Sequence, residues 1–434
     1  MDELGIIDTH DWGTFKDSLK APIFGWFTYP AGFSYKAVEY SIKQEKLKSG
    51  DTVYDPFMGS GTTNLVAQMM NINSYGVEAH PFVFPIAKCK MNLDVHLGEV
   101  NNHLRIISNQ KGYKSVDSFE LTELLEREFP ELVRKCFLPE TLYELMQIRN
   151  YIRTINEEDI KLFLNTGLIC TLRSVSIAAT GWPYIAPNKI KITSLSKKGL
   201  ETFLKFVDKM VEDVTYFRMM IDSRNSQHHI FLGDSRNTSD YIPNEVADHI
   251  FTSPPYLNNF DYADRTRLEM YFMGDAHNWS DICEKVRTRL ITSATTQISR
   301  SDSKYGFSEE FKRDNPKEYT FLHKAVIELG EKRKTKGGKK SYDLLVSGYF
   351  NDMYLILKDN YRILKPGHTA KYILGDSAPY GVHIPTDELI GEIGHNIGFN
   401  DYKIELLRTR GDKWKNNPQR HNTKLRETIV TLTK

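Results

Sequence analysis

The segment Thr252-Ser253-Pro254-Pro255-Tyr256 puts a hydroxyl, two prolines and an aromatic ring directly after Ala247 to Phe251, a short run with the composition of a strand. Each proline fixes φ at about −65° and removes an N–H donor. The turn is therefore rich in carbonyl acceptors, to which Ser253 adds a side-chain acceptor and Tyr256 a π-face. Such a turn suits chemistry on a planar amine, and an extruded nucleobase would use all three groups. Taken alone, the pentapeptide fits a stiff connection after a strand equally well.

A second constellation lies near the N-terminus. Thr52 to Phe57 (TVYDPF) reads as a strand, Met58 to Thr63 as a glycine loop, Asn64 to Met70 as a helix, and Ser74 to Glu78 as a second strand ending in a carboxylate. This order predicts a βαβ unit, and hence an α/β fold built on a doubly wound, mostly parallel, Rossmann-like sheet. Gly59-x-Gly61 lets the backbone approach a ligand, and the helix that follows offers free N–H groups. Glu78 stands 19 residues beyond Gly59, near the spacing at which an acid accepts hydrogen bonds from ribose hydroxyls. Asn64 replaces the third glycine of a dinucleotide fingerprint, and no Gly-Lys-Ser/Thr follows, so neither NAD nor ATP is supported. Asp55 would project an anionic group at the strand end, which suits a ligand with a cationic amine and a ribose, such as S-adenosylmethionine.

Asp55-Pro56-Phe57-Met58-Gly59-Ser60-Gly61-Thr62-Thr63 together with Thr252-Ser253-Pro254-Pro255-Tyr256 resembles the amino-group DNA methyltransferases, especially the N4-cytosine-specific ones. The resemblance implies S-adenosyl-L-methionine as cofactor and Ser253, Pro254, Pro255 and Tyr256 as catalytic residues. Trp26 to Ser34 is similar to the segment that covers the methionine end of the cofactor, which assigns Phe33 and Ser34 to cofactor binding with Asp55, Pro56, Phe57, Gly59, Gly61 and Thr62. Glu78 matches the ribose-binding acid, Gly233-Asp234 the adenine-contacting motif, and Leu364-Lys365-Pro366-Gly367 the turn before a core strand.

The implied substrate is double-stranded DNA with a flipped base, methylated at N4 of cytosine, and a cognate restriction endonuclease is a possible partner. N6 of adenine presents the same amidine edge and stays open, as does guanine N2 in RNA. A cofactor-binding assembly protein without turnover is the alternative of another class. No nucleophilic cysteine is expected, because the amine needs only acceptors for its hydrogens to aim its lone pair at a methyl group.

The elements that must position these residues form a discontinuous core, residues 1–100 and 225–434. Residues 101–224 are expected to be a helical insertion. Leu121, Leu124, Leu125, Phe129 and Leu132 share one helix face there, and Leu200, Phe203, Leu204, Val207, Val211, Val214 and Phe217 another. Arg173 and Ser174 interrupt an apolar helical run and are candidates to line a cleft. Residues 284–345 read as a polar, basic loop and a possible target-recognition element. Tyr354 to Leu364 is predicted to be a helix, followed by a strand from Thr369 to Leu374.

With 57 basic and 56 acidic residues among 434, any nucleic-acid contact must come from local patches. The candidates are Lys332, Arg333 and Lys334 in the loop and Arg410, Lys413 and Arg420 near the C-terminus. Cys89, Cys136, Cys170 and Cys283 are isolated, so neither disulfides nor a zinc site are indicated. Without a basic n-region or an apolar stretch of spanning length, the chain is expected to be cytoplasmic and free of the membrane.

Overall fold

The computed structural model describes residues 9–28, 32–109, 118–180, 184–221, 225–335, 338–410 and 423–434. Its strands are β1 (Thr52–Asp55), β2 (Asn73–Glu78), β3 (Ala178–Thr180), β4 (Ile185–Ile190), β5 (His228–Leu232), β6 (Ala247–Thr252), β7 (Leu364–Gly375), β8 (Asp401–Arg410) and β9 (Leu425–Thr433). Seven of them form one sheet in the order β5-β2-β1-β6-β7-β9-β8. The pairings from β5 through β7 are parallel, and β9 and β8 extend the sheet antiparallel. The expected α/β, mostly parallel sheet is the one found, and its parallel strands end along one edge.

Every residue of β1 and β6 is buried, because helices cover both faces of these central strands. Alternate residues feed two cores. Val53, Phe251 and Ile373 point into the core shared with the helices Tyr35–Gln44 and Thr62–Met69. Tyr54, Ile250, Tyr372 and Leu374 point into the other, under the helices Tyr342–Ile363 and Thr386–Ile397.

The stretch read as an insertion carries the long helices Pro139–Arg153, Glu158–Val175 and Gly199–Met220. Leu121, Leu125, Phe129, Phe203, Val207, Val214 and Phe217 are buried in the same apolar cluster as Val53 and Phe251, and the Glu158–Val175 helix packs on the Val83–Met91 helix of the core. It also carries a hairpin that the sequence reading missed, β3 paired antiparallel with β4. Half-buried residues in β4 weaken the alternation that marks a strand.

Arg173 and Ser174 are engaged in contacts within the fold. Arg173 pairs with the buried carboxylate of Glu269 and donates to the Arg265 carbonyl, and Ser174 accepts from Lys197. Glu269 also accepts from Arg265 at 3.2 Å. Burial opposes ionisation of Glu269, but the two guanidinium groups outweigh it and hold the carboxyl below its ordinary range.

The stretch expected to be a polar loop is largely helical, with Glu309–Asp314 and Pro316–Thr335 as helices. Phe311, Leu322, Ala325 and Leu329 are buried, the last three at helical spacing, and this stripe holds the segment against the Tyr342–Ile363 helix despite its charged composition. Lys332, Arg333 and Lys334 form its last turn and not a loop. The following helix starts at Tyr342 and not Tyr354, because Leu345, Val346, Tyr349, Phe350 and Met353 continue the buried face toward the N-terminus. β7 begins at Leu364 and not Thr369, so Lys365-Pro366-Gly367 lies inside the strand. The register shift opposite Ala247 and the positive φ of Gly367, 78°, absorb the irregularity.

Glu269→Ala leaves two guanidinium groups facing a buried void between insertion and core. The variant is expected to lose about 3–5 kcal/mol of stability, read as a lower urea midpoint.

Candidate active site

Parallel pairing of β1 with β6, in the register Val53↔His249 and Tyr54↔Ile250, brings together the carboxyl ends of two strands whose last residues are 197 apart in sequence. At that edge Thr252 Oγ1 donates to Asp55 Oδ1 at 2.5 Å, and the Phe57 amide donates to the same oxygen at 2.9 Å. Asp55 is fully buried and its Oδ2 has no hydrogen-bond partner. Burial pushes the carboxyl up to about 6, although the Thr252 and Thr63 hydroxyls and the Phe57 amide pull the other way.

Gly59 and Gly61 have φ of 55° and 87°, the left-handed region open to glycine at no steric cost, and Gly61 caps the Thr62–Met69 helix. The Met58 amide donates to the Val77 carbonyl, tying the loop to β2. Glu78 ends β2 and accepts from the His80 amide at 2.7 Å. Burial raises its carboxyl to about 7, opposed by the amides of His80 and Gly59.

These groups open onto one cleft. Of the residues singled out in the sequence, Phe33, Pro56, Phe57, Gly59, Thr62, Glu78, Asp234, Ser253 and Pro255 form its walls. Asp234 lies at one side with both oxygens held by Arg236, which reaches on to Asp352. Ser34 does not line the cleft: it caps the Tyr35–Gln44 helix, accepting from the Lys36 amide and donating to Asp17. Gly61, Asp55 and Pro254 adjoin wall residues in the chain without being walls themselves, and Tyr29, Pro30 and Ala31 of the covering segment lie outside the described residues.

Tyr256 also stands outside the walls. Its hydroxyl donates to Glu427 at 3.0 Å, Glu427 pairs with Arg408 at 2.6 Å, and the Arg410 guanidinium lies 5.2 Å from the ring centroid. A Cβ on Gly375 would come within 2.8 Å of the ring, so glycine is needed for Tyr256 to pack on the end of β7. Lys332 pairs with Glu328 and Lys334 with Glu331 on the helix surface. Lys413 and Arg420 lie outside the described residues.

The sequence reading missed Phe15, Ala79, Ser235, Tyr262, Arg289, Leu290, Ile291 and Ser293, which are also wall residues. The only local signal was the proximity of Ser235 to Gly233-Asp234. The 289–293 stretch reaches the cleft through tertiary contacts, the Asn259 amide donating to the Ser293 carbonyl and Thr296 Oγ1 to Asp261.

A family model described as DNA methylase, covering amino-group methylases of N6 and N4 type, matches residues 10–89. The chain is 26% identical over 412 residues to the Type II methyltransferase M.BsoBI of Geobacillus stearothermophilus, covering 89% of this chain and 81% of that one. It is 24% identical to M.AvaI of Nostoc sp., over 91% and 83% of the two chains, and 22% identical to M.MvaI of Kocuria varians, over 82% and 75%. These likenesses support the amino-group DNA methylase family for this chain. Among solved structures, the rRNA methyltransferase AviRa of Streptomyces viridochromogenes aligns with 11% identity and a TM-score of 0.24 over 67% of this chain and 81% of that one.

The cofactor that these likenesses imply is S-adenosylmethionine, and the residues present fit it. The unpartnered Oδ2 of Asp55 is a buried anionic atom beside the glycine loop, suited to an ammonium group. Glu78 presents a carboxylate to the cleft, suited to ribose hydroxyls, and Phe15, Phe33 and Phe57 give apolar walls.

Asp55 and Glu78 both have values raised above those of the unfolded chain. The stability from their neutral forms is therefore complete below the ordinary carboxylate range and is lost as pH rises through about 6 and about 7. The cofactor-free protein is expected to lose on the order of 3 kcal/mol per group over that interval. Glu78→Gln should remove the upper step from the pH dependence of the urea midpoint, and an unchanged profile would refute the assignment.

Proposed function

We propose that this protein is a site-specific DNA methyltransferase acting on the exocyclic amine of a flipped base, with N4 of cytosine as its target. The observation that carries this reading is the meeting of Ser253 and Pro255 with Glu78, Phe57 and the glycine loop in one cleft. An amine acceptor and a nucleoside site thus share a single wall.

An exocyclic amine is a poor nucleophile because its lone pair is delocalised into the ring. Ser253 Oγ, which in the free protein donates to the Ile373 carbonyl at 3.3 Å, and the Pro254 carbonyl accept the two amine hydrogens. The nitrogen then pyramidalises with its lone pair free. When bound, S-adenosylmethionine supplies an electrophilic methyl group on a sulfonium. Thr252 and Asp55 keep β6 and the glycine loop in fixed relation, so the acceptors and the cofactor site do not drift apart.

Tyr256 offers its ring to the extruded base, and Arg410 must leave that face as the base arrives. Arg410 then serves DNA phosphate or the base itself, and the basic turn Lys332 to Lys334 contacts the backbone. The choice of N4 over N6 rests on the likeness of the Ser253 motif to the N4-cytosine methylases, since the amidine edge is common to both bases. A cognate endonuclease belongs to the same reading through the Type II methyltransferase relatives.

The test is to incubate the protein with methyl-labelled S-adenosylmethionine and duplex DNA and to identify the labelled nucleoside by mass spectrometry. N4-methylcytosine is the expected product; N6-methyladenine would overturn the target assignment, and no transfer to DNA would overturn the reading. Ser253→Ala is expected to lower the turnover rate by at least about 100-fold, with affinity for S-adenosylhomocysteine unchanged.

A further inference from the structure

Lys90 is a lysine 1% exposed, on the Val83–Met91 helix that packs against the glycine loop. Its Nζ donates to Ser60 Oγ at 3.3 Å and to the Phe24 carbonyl at 3.4 Å. Both partners are neutral. Among the described residues, the groups that act on it electrostatically are the thiols of Cys89, on its own helix, and Cys170, on the Glu158–Val175 helix. Burial pushes both thiols far up, Cys89 to about 12, so neither supplies an anion at neutral pH. A buried ammonium without an anion is costly, and burial lowers Lys90 to about 7.

Two features show what would compensate it. Ser60, the residue that Lys90 contacts, is a wall of the cleft, between Gly59 and the Thr62 helix. Phe24, its other contact, precedes the segment that supplies Phe33 to the same cleft. The ammonium therefore stands directly behind the corner where the glycine loop meets the N-terminal segment. It lies beside the Thr62–Met69 helix N-terminus, whose free N–H groups also favour an anion.

We infer that Lys90, acting through Ser60, supplies the positive charge that holds the carboxylate at the amino-acid end of S-adenosylmethionine. The inference rests on S-adenosylmethionine as the cofactor and adds a residue to its binding that neither the glycine loop nor the proline motif contains. Lys90 is a positioning residue: it orients the Ser60 hydroxyl and contributes charge without forming a wall of the cleft. Asp55 Oδ2 and Lys90 give the loop one anionic and one cationic group, matching the zwitterionic end of the cofactor.

Lys90→Met keeps the apolar length of the side chain and removes the charge, a replacement that buried sites tolerate. Binding of S-adenosylhomocysteine and of 5′-methylthioadenosine, which lacks the amino acid, is measured by calorimetry on wild type and variant. The expected result is a loss of about 10- to 100-fold for S-adenosylhomocysteine, with 5′-methylthioadenosine unchanged. Repeating the titrations in buffers of different ionisation enthalpy at about pH 8 should show proton uptake with S-adenosylhomocysteine in wild type only. Equal losses for both ligands, or no loss for either, would overturn the inference while leaving the cofactor site intact. If wild type bound neither ligand, the cofactor assignment itself would fail.

Discussion

The hydrogen bond from Thr252 to Asp55 joins the two motifs on which the site is built. It links residues 197 apart in sequence, and it exists because β1 and β6 are parallel neighbours whose carboxyl ends meet at the same edge. In a doubly wound sheet that edge is where loops diverge to either face and leave a crevice. Once β1 lies between β2 and β6, Glu78, the glycine loop and Ser253 must converge.

Maintaining that convergence requires buried charge. Asp55 and Glu78 are carboxyls held in an apolar crevice at the cost of raised proton affinity, and Lys90 is an ammonium held there without an anion. Groups so placed are poor contributors to stability and apt partners for a charged ligand. The stabilising charge lies elsewhere, in the Arg173–Glu269–Arg265 cluster that fastens the helical insertion to the segment just after the proline motif. The helical segment thus acts as a buttress for the residues that follow the proline turn.

The antiparallel end of the sheet has a different role. β8 and β9 bring Arg408, Arg410 and Glu427 against Tyr256, anchoring its hydroxyl and covering its ring. Gly375 at the end of β7 makes room for that packing. The last two strands therefore decide how accessible the aromatic ring of the motif is, although they carry no recognisable motif.

Local chemistry determined much of this protein. The glycines at 59 and 61 are needed for positive φ, Glu78 falls at a strand end after one βαβ turn, and Pro254 and Pro255 stiffen a turn after a strand; each is a short-range requirement visible in a few residues. The apolar spacing also made the helices Ser118–Glu128 and Gly199–Met220 legible. Composition misled at residues 309–335, where charged residues outnumber a buried stripe of Phe311, Leu322, Ala325 and Leu329 that is enough to hold helices in place. Ser34 shows the limit of motif transfer, since its hydroxyl caps a helix while its neighbour Phe33 faces the cleft. What only the tertiary structure decided are the contacts between distant segments: Arg410 on Tyr256, Lys90 on Ser60, and the 289–293 stretch in the same cleft as Glu78. No local pattern encodes these, because the pairing of strands and the docking of helices bring such residues together across long stretches of chain.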